Sequence, residues 1–326
     1  MEATSTDGLA VQLCSLVGSQ RHHNVQKQIC IALTGPEYWC ENLARQLNRE
    51  DAKSVIIRKS PANAVKYLAW IMYFFKETAG YDILHIMLPT SAIKTLKAAR
   101  LKHIRVVCHW IGSDVLKLRD EKRRKEFFKA YPVSKLTHLA VSKPLSDELA
   151  QYGMNAEVFP NITDKVIAEP EPLPTTPGVL SYWTDKRADF FNASIVLDLA
   201  KCFPNVPFRV VGATGKGLSK PPNVRFLGHL ENMSEVFRQT TVYIRLVPHD
   251  GTSIMVAESL ARGRYVLYSL PFPYCEKATE LNECKEKLAT LLRKKELNLA
   301  GAEFVRTRFD PEKNIMKLIK MYKEII

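Results

Sequence analysis

Several common scaffolds and chemistries are missing from this sequence, and each absence narrows the field. The seven cysteines (Cys14, Cys30, Cys40, Cys108, Cys202, Cys275 and Cys284) are odd in number and contain no C-x-x-C pair. Several lie in apolar runs, where cysteine behaves as a small hydrophobe, so a reducing cytoplasm is expected rather than a disulfide framework. No His/Cys cluster has zinc spacing and there is no D-x-D pair, so no metal is expected. The G-x-S-x-G elbow of serine hydrolases is absent. The run Gly212-Ala-Thr-Gly215-Lys-Gly217 fits neither a P-loop nor G-x-G-x-x-G, and reads as a flexible strand–strand connection. Residues 9–17 are mildly apolar but broken by Gln12, Cys14 and Ser15, with no basic segment before them, so no signal peptide is expected. Residues 64–75 are the most apolar stretch, yet they include Lys66 and are too short to span a bilayer.

What is present is ordinary for a globular chain: 326 residues, 46% hydrophobic and 25% charged. That length predicts two domains, each with enough apolar material for its own core. The net charge is +13, which favours polyanionic partners such as nucleic acid, an anionic membrane surface or phosphorylated substrates. Between residues 91 and 130, 12 Lys/Arg face 4 Asp/Glu. Such a run is either a solvated basic face or a docking surface for an acidic acceptor.

The order of elements predicts an α/β protein. Apolar strands at 29–34, 54–57, 82–87, 104–109, 136–141 and 156–159 alternate with helices at 38–48, 62–78, 91–101 and 144–152. Pro160, Pro170, Pro172, Pro174 and Pro177 then mark a linker. Strands at 178–183, 208–211, 224–227, 242–247 and 265–268 follow, with helices at 189–202, 232–239, 253–261, 279–293, 298–308 and 311–326. The expected organisation is a disordered segment 1–27, a Rossmann-like domain 28–163, a linker 164–177, a second Rossmann-like domain 178–310, and a helix 311–326 whose apolar face packs back across a cleft. In parallel sheets ligands bind at the carboxyl ends of strands, so the loops after Thr34, Met87 and His109 merit attention.

The most informative segment is V-P-H-D-G-T-S-I-M-V-A-E-S-L-A-R-G-R-Y-V-L-Y-S, residues 247–269. A strand ends at Pro248, Asp250 follows, and Gly251-Thr252-Ser253 opens a helix carrying Glu258 about one and a half turns in. Amides at such a helix start suit a diphosphate, and carboxylates suit sugar hydroxyls. On spacing alone, a plain strand–turn–helix with Asp250 near an N-cap and Glu258 exposed fits equally well.

Asp250-x7-Glu258 resembles the E-x7-E signature of retaining GT-B glycosyltransferases, family four. Ala257-Glu258-Ser259-Leu260-Ala261 with Gly263 and Val266 is similar to the E-A-x-A-x-G-x-P-V run that follows in that family. Asn223-Val-Arg-Phe-Leu-Gly228-His229, Phe208-Arg-Val-Val-Gly212 and residues 178–183 with Asp185-Lys186-Arg187 resemble its other motifs, in the same order. The resemblance implies a GT-B fold of two Rossmann-like domains facing a cleft, and transfer of a sugar from a UDP- or GDP-sugar without metal or other cofactor. It implies that Glu258 holds the ribose and Asp250 the donor sugar. Amides at Gly251, Thr252 and Ser253, with Lys186 and Arg187, would hold the diphosphate, and backbone at Gly228-His229 the base. His109, at a strand end, would face the donor, and Gly35 would match the family's glycine loop.

The chain departs from that pattern in places. Asp250 stands where the family usually has Glu, Ser181 where it has Arg, and the usual double glycine beside Gly35 is missing. A degenerate GT-B protein that binds a nucleotide or nucleic acid without catalysis is therefore an alternative, and a nucleotide-sugar epimerase a third. The first domain would bind an anionic acceptor, lipid-linked or DNA, recruited by the basic face at Lys94–Lys129. Helix 120–130, with Lys122, Arg123, Arg124 and Lys125 near Phe127 and Phe128, would suit such a surface. No stable protein partner is expected.

Overall fold

The computed structural model describes residues 28–50 and 52–326; the expectation for 1–27 lies outside them. Two six-stranded sheets, parallel throughout, organise the chain. The first has strand order β2-β1-β3-β4-β5-β6: β1 Ile29–Thr34, β2 Ala52–Ile56, β3 Ile83–Met87, β4 Arg105–Trp110, β5 Leu136–Ala140 and β6 Ala156–Val158. Every residue of β3 is buried, because helices cover both sheet faces and leave no polar side.

One face of this sheet carries α2 (Ala64–Glu77), α3 (Ile93–Lys102), α5 (Glu121–Ala130) and α6 (Lys143–Ala150), with Trp70, Phe74, Leu96, Phe127 and Leu145 in the core beneath. The other carries α1 (Glu37–Arg49) and the final helix, α12 (Pro311–Ile325). Ile315, Leu318, Ile319 and Tyr322 of α12 pack against Ile31, Leu33 and Leu139, so the end of the chain returns to the first sheet.

The second sheet has the order β12-β11-β10-β7-β8-β9: β7 Val179–Tyr182, β8 Phe208–Val211, β9 Val224–Gly228, β10 Val242–Arg245, β11 Tyr265–Tyr268 and β12 Glu276–Lys277. Its helices are α7 (Ala193–Cys202), α8 (Ser234–Arg238), α9 (Ile254–Ala261), α10 (Leu281–Leu292) and α11 (Leu299–Arg308). The proline-rich connection between the sheets is fastened on both sides. Fully buried Arg264 donates to the carbonyls of Glu171 and Pro172. Arg45 and Gln46 of α1 hold Asp164.

Three local differences from the sequence reading have physical causes. The helix expected over 189–202 is broken at Asn192, whose left-handed backbone ends a short 3-10 turn before α7 begins. A four-residue helix, α4 (Ser113–Leu116), follows β4 because the Asp114 carboxylate accepts the amides of Ile111 and Gly112 and curls the chain back. Strand β12 is two exposed residues, too short to carry a pattern. No helix among the described residues is long and apolar enough to cross a membrane.

Candidate active site

The loops at the carboxyl ends of both sheets meet, and the segment 249–253 is where they touch. His249 pairs with Glu148 of α6 at 2.8 Å, and Thr252 donates to the Val141 carbonyl at 3.2 Å. At Gly251 a Cβ would stand 1.8 Å from the carbonyl oxygen of Ile111, so no other residue fits without a shift. Gly112 meets Gly251 from the other side, and a Cβ on it would lie 2.9 Å from the Gly251 nitrogen. The space above Gly251 is thus taken by the first sheet's own backbone.

Asp250 is held firmly. Its Oδ2 accepts from Arg245 Nε at 2.6 Å and from the Tyr268 hydroxyl at 3.0 Å, and its Oδ1 accepts from the Gly251 amide at 3.0 Å. Burial alone would depress the Arg245 guanidinium, but the Asp250 carboxylate more than offsets it and holds the group above its ordinary value. Burial, and then the same carboxylate, push the Tyr268 phenol up.

Glu258 lies inside rather than exposed. It is 4% accessible on α9; Oε1 sits 3.5 Å from Arg262, and Oε2 has no partner. Burial raises its pKa, against the opposing pull of Lys165 and Arg262. A buried carboxylate with an orphaned oxygen is costly unless something donates to it. Ser253 caps α9 by accepting from Val256, and by helix geometry the first amides of α9 lack intrahelical partners.

Lys186 and Arg187 are exposed on the turn Asp185–Arg187 that follows β7. Arg187 lies over the rings of Phe190 at 4.1 Å and Phe191 at 5.6 Å, and Arg245 approaches the Phe191 ring at 5.3 Å. Phe191 is thus in contact with both Arg187 and Arg245, the partner of Asp250. Ser181, where the glycosyltransferase pattern has an arginine, is buried and donates to the Ile244 carbonyl. The loop 212–217 is more ordered than a flexible connection: Asp185 accepts from the amides of Thr214 and Gly215. The amide and carbonyl of Gly228 are both spent on residues 212 and 213, leaving exposed His229 to offer free backbone beside it.

His109 does not present a nitrogen to the cleft. Its Nε2 lies 3.1 Å from the Phe159 carbonyl, its Nδ1 lies 3.3 Å from His85 Nε2, and His85 Nδ1 meets the Tyr322 hydroxyl at 2.6 Å. A carbonyl only accepts, so Nε2 of His109 carries the proton, His85 donates in turn, and Tyr322 closes the chain. Burial lowers His109 to a pKa of about 4 and His85 well below its ordinary value, so both are neutral. On helix α5, Phe127 is fully buried and half-buried Arg124 donates to the Leu118 carbonyl and stacks on Tyr152, while Lys122, Arg123, Lys125 and Phe128 remain exposed.

Gly35 lines a cavity of about 260 Å³ on the first sheet's side, with Lys59, Leu88, Ser91 and Thr95 among its walls. A Cβ there would fall 2.7 Å from Met87 Cβ. Arg245, Tyr268 and the His249–Glu148 pair were not foreseen from the sequence. Arg245 and Tyr268 had position as their signal, at strand ends on the edge where a parallel sheet binds ligands, whereas Glu148 on helix α6 had none. Among the described residues no three His, Cys, Asp or Glu side chains gather as a metal would need.

Two parallel sheets, with covering helices and meeting at their carboxyl edges, make this a GT-B fold. The comparisons with solved structures agree. HepE from Anabaena, solved with UDP and glucose, superposes with a TM-score of 0.72 over 90% of this chain and 99% of its own, at 12% identity. Sucrose-phosphate synthase from Thermosynechococcus elongatus gives 0.73 over 91% and 99%, at 14% identity. A glycosyltransferase from Rickettsia africae gives 0.66 over 92% and 99%, at 12%. No protein-family profile matches the chain, and no curated protein matches its sequence.

Proposed function

We propose that the chain is a glycosyltransferase that moves a sugar from a nucleotide-sugar donor, UDP- or GDP-linked, to an acceptor in the cleft, with retention and without a metal. The observation that carries this reading is Glu258: a buried carboxylate with one oxygen unpartnered, on the helix that Ser253 caps. The hydroxyls of a ribose would satisfy that oxygen. HepE, of the same fold, has been solved with UDP and with UDP-glucose, which supports a nucleotide sugar as the ligand.

In this reading the second sheet binds the donor. The start of α9, Lys186 and Arg187 neutralise the diphosphate, since preorganised dipoles and cations stabilise charge that develops on a leaving group. His229 backbone meets the base. The bond from the anomeric carbon to the phosphate oxygen breaks, the bond to the acceptor oxygen forms on the same face, and the acceptor proton passes to the departing phosphate. The first sheet receives the acceptor near Gly35 and Lys59, and the basic helices α3 and α5 favour an anionic one.

A second reading, a nucleotide-binding protein without turnover, is favoured by Asp250. Both of its oxygens are occupied inside the protein, so a donor sugar must displace Arg245 or Tyr268 to use it.

The test is a thermal-shift panel of nucleotides and nucleotide sugars on wild type and Glu258→Ala, since a ligand that binds only the folded state raises the melting temperature. A shift with one nucleotide family that the variant loses supports the site. No shift with any of them overturns it. Donor hydrolysis by the wild type separates transferase from binder.

A further inference from the structure

Helix α2 is apolar on two opposite faces, and the chain covers only one of them. Trp70 and Phe74 enter the core of the first sheet. On the far side, Leu68 and Met72 are 67% and 75% exposed, and Phe75 continues the same stripe at positions i, i+4 and i+7. Leu101, 66% exposed at the end of α3, adjoins it, because neighbouring Lys102 lies over the Phe75 ring and donates to the Phe75 carbonyl. A helix that is hydrophobic all round is normally buried, and a contiguous exposed row of this kind marks an interaction surface.

The surroundings of the row are basic. Residues 58–105 hold nine Lys or Arg against two Asp or Glu. Lys66, Lys76, Lys97 and Arg100 are exposed there, and Lys129 of α5 joins Lys97 and Arg100 around an open groove between α3 and α5.

We propose that the outer face of α2 and α3 docks on an anionic lipid bilayer, with Leu68, Met72, Phe75 and Leu101 entering the interfacial zone and the surrounding lysines and Arg100 meeting lipid phosphates. Apolar side chains flanked by cations are what a negatively charged leaflet attracts. A nucleic acid would use aromatic faces for its bases, but the most exposed groups here are aliphatic. A second copy of the same face would bring like charges together. The basic surface therefore recruits through α2 and α3, with Lys129 of α5 at the edge of the patch. Docking needs neither donor nor acceptor, so a failure of nucleotide-sugar binding would leave it standing.

Flotation of the full-length protein with vesicles of phosphatidylcholine, with and without phosphatidylglycerol, tests this. The wild type is expected to float with the anionic vesicles and to be released by salt. Leu68→Asp with Met72→Asp should lower partitioning roughly tenfold or more, with an unchanged melting temperature because both side chains are exposed. Lys97→Gln with Arg100→Gln, a gentler change, should lower it about fivefold or more. The inference is overturned if the wild type does not float, or if both variants float like wild type. It is also overturned if the lysine and arginine positions control a DNA gel shift without vesicle binding, or if Leu68→Asp dissolves a dimer seen by light scattering.

Discussion

Arg245 and Tyr268 stand opposite each other in the register of β10 and β11, and both donate to the same oxygen of Asp250. Two adjacent strand ends thus converge on one carboxylate. The ion pair is nearly buried, so its two halves depend on each other.

Removing the acid should therefore be costly. Asp250→Ala leaves a buried guanidinium without its counterion and is expected to destabilise the fold by about 3 kcal/mol. Urea denaturation measures this. Arg245→Met in the same protein should recover much of the loss. Equal stability of Asp250→Ala and wild type would mean the pair contributes little.

Glu258 should behave in the opposite way. Burial raises its pKa, so the contribution of this carboxyl to stability is full below its unfolded value and is lost as pH rises through the folded one. At neutral pH, Glu258→Gln should melt higher than wild type without ligand, and the difference should close in acid. The same variant should lose nucleotide-dependent stabilisation. A variant that melts lower at pH 7 would argue that Glu258 serves structure rather than a ligand.

The histidine chain predicts acid sensitivity at the end of the molecule. His109 falls from 6.5 to about 4 on folding, so its contribution is present above the unfolded value and is lost as pH drops through that window. Tyr322→Phe removes the donor to His85 Nδ1 and should cost about 1–3 kcal/mol by leaving a buried acceptor unpaired. Hydrogen exchange should then report faster opening of α12. Unchanged protection there would exclude the hydroxyl as its anchor.

Gly251→Ala tests the contact between the sheets. A methyl group cannot occupy a point 1.8 Å from the Ile111 carbonyl, so the loops must separate. Small-angle scattering should show a larger radius of gyration, with a stability loss of roughly 1–3 kcal/mol. An unchanged radius would show that the loop yields locally.

Much of the candidate site was legible because it follows chain order. The strand into Pro248, the glycine turn and the helix with Glu258 are neighbours in sequence, and strand–turn–helix periodicity reveals them directly. Parallel strands were legible as unbroken apolar runs for the same reason. His109 shows where this kind of reading stops. A histidine at a strand end looks the same whether its ring meets a ligand or, as here, a second buried histidine and the carbonyl of Phe159, 50 residues later.

The sequence by itself thus determined the alternation of elements, the surplus of positive charge and the acidic pair at fixed spacing, all of which are local or additive properties. Tertiary structure alone decided that Asp250 faces Arg245 and Tyr268, that Glu258 is buried with a free oxygen, and that α12 closes over His85. It also left one side of α2 bare. Each of these depends on which faces meet after folding, and such meetings leave no period or spacing to read.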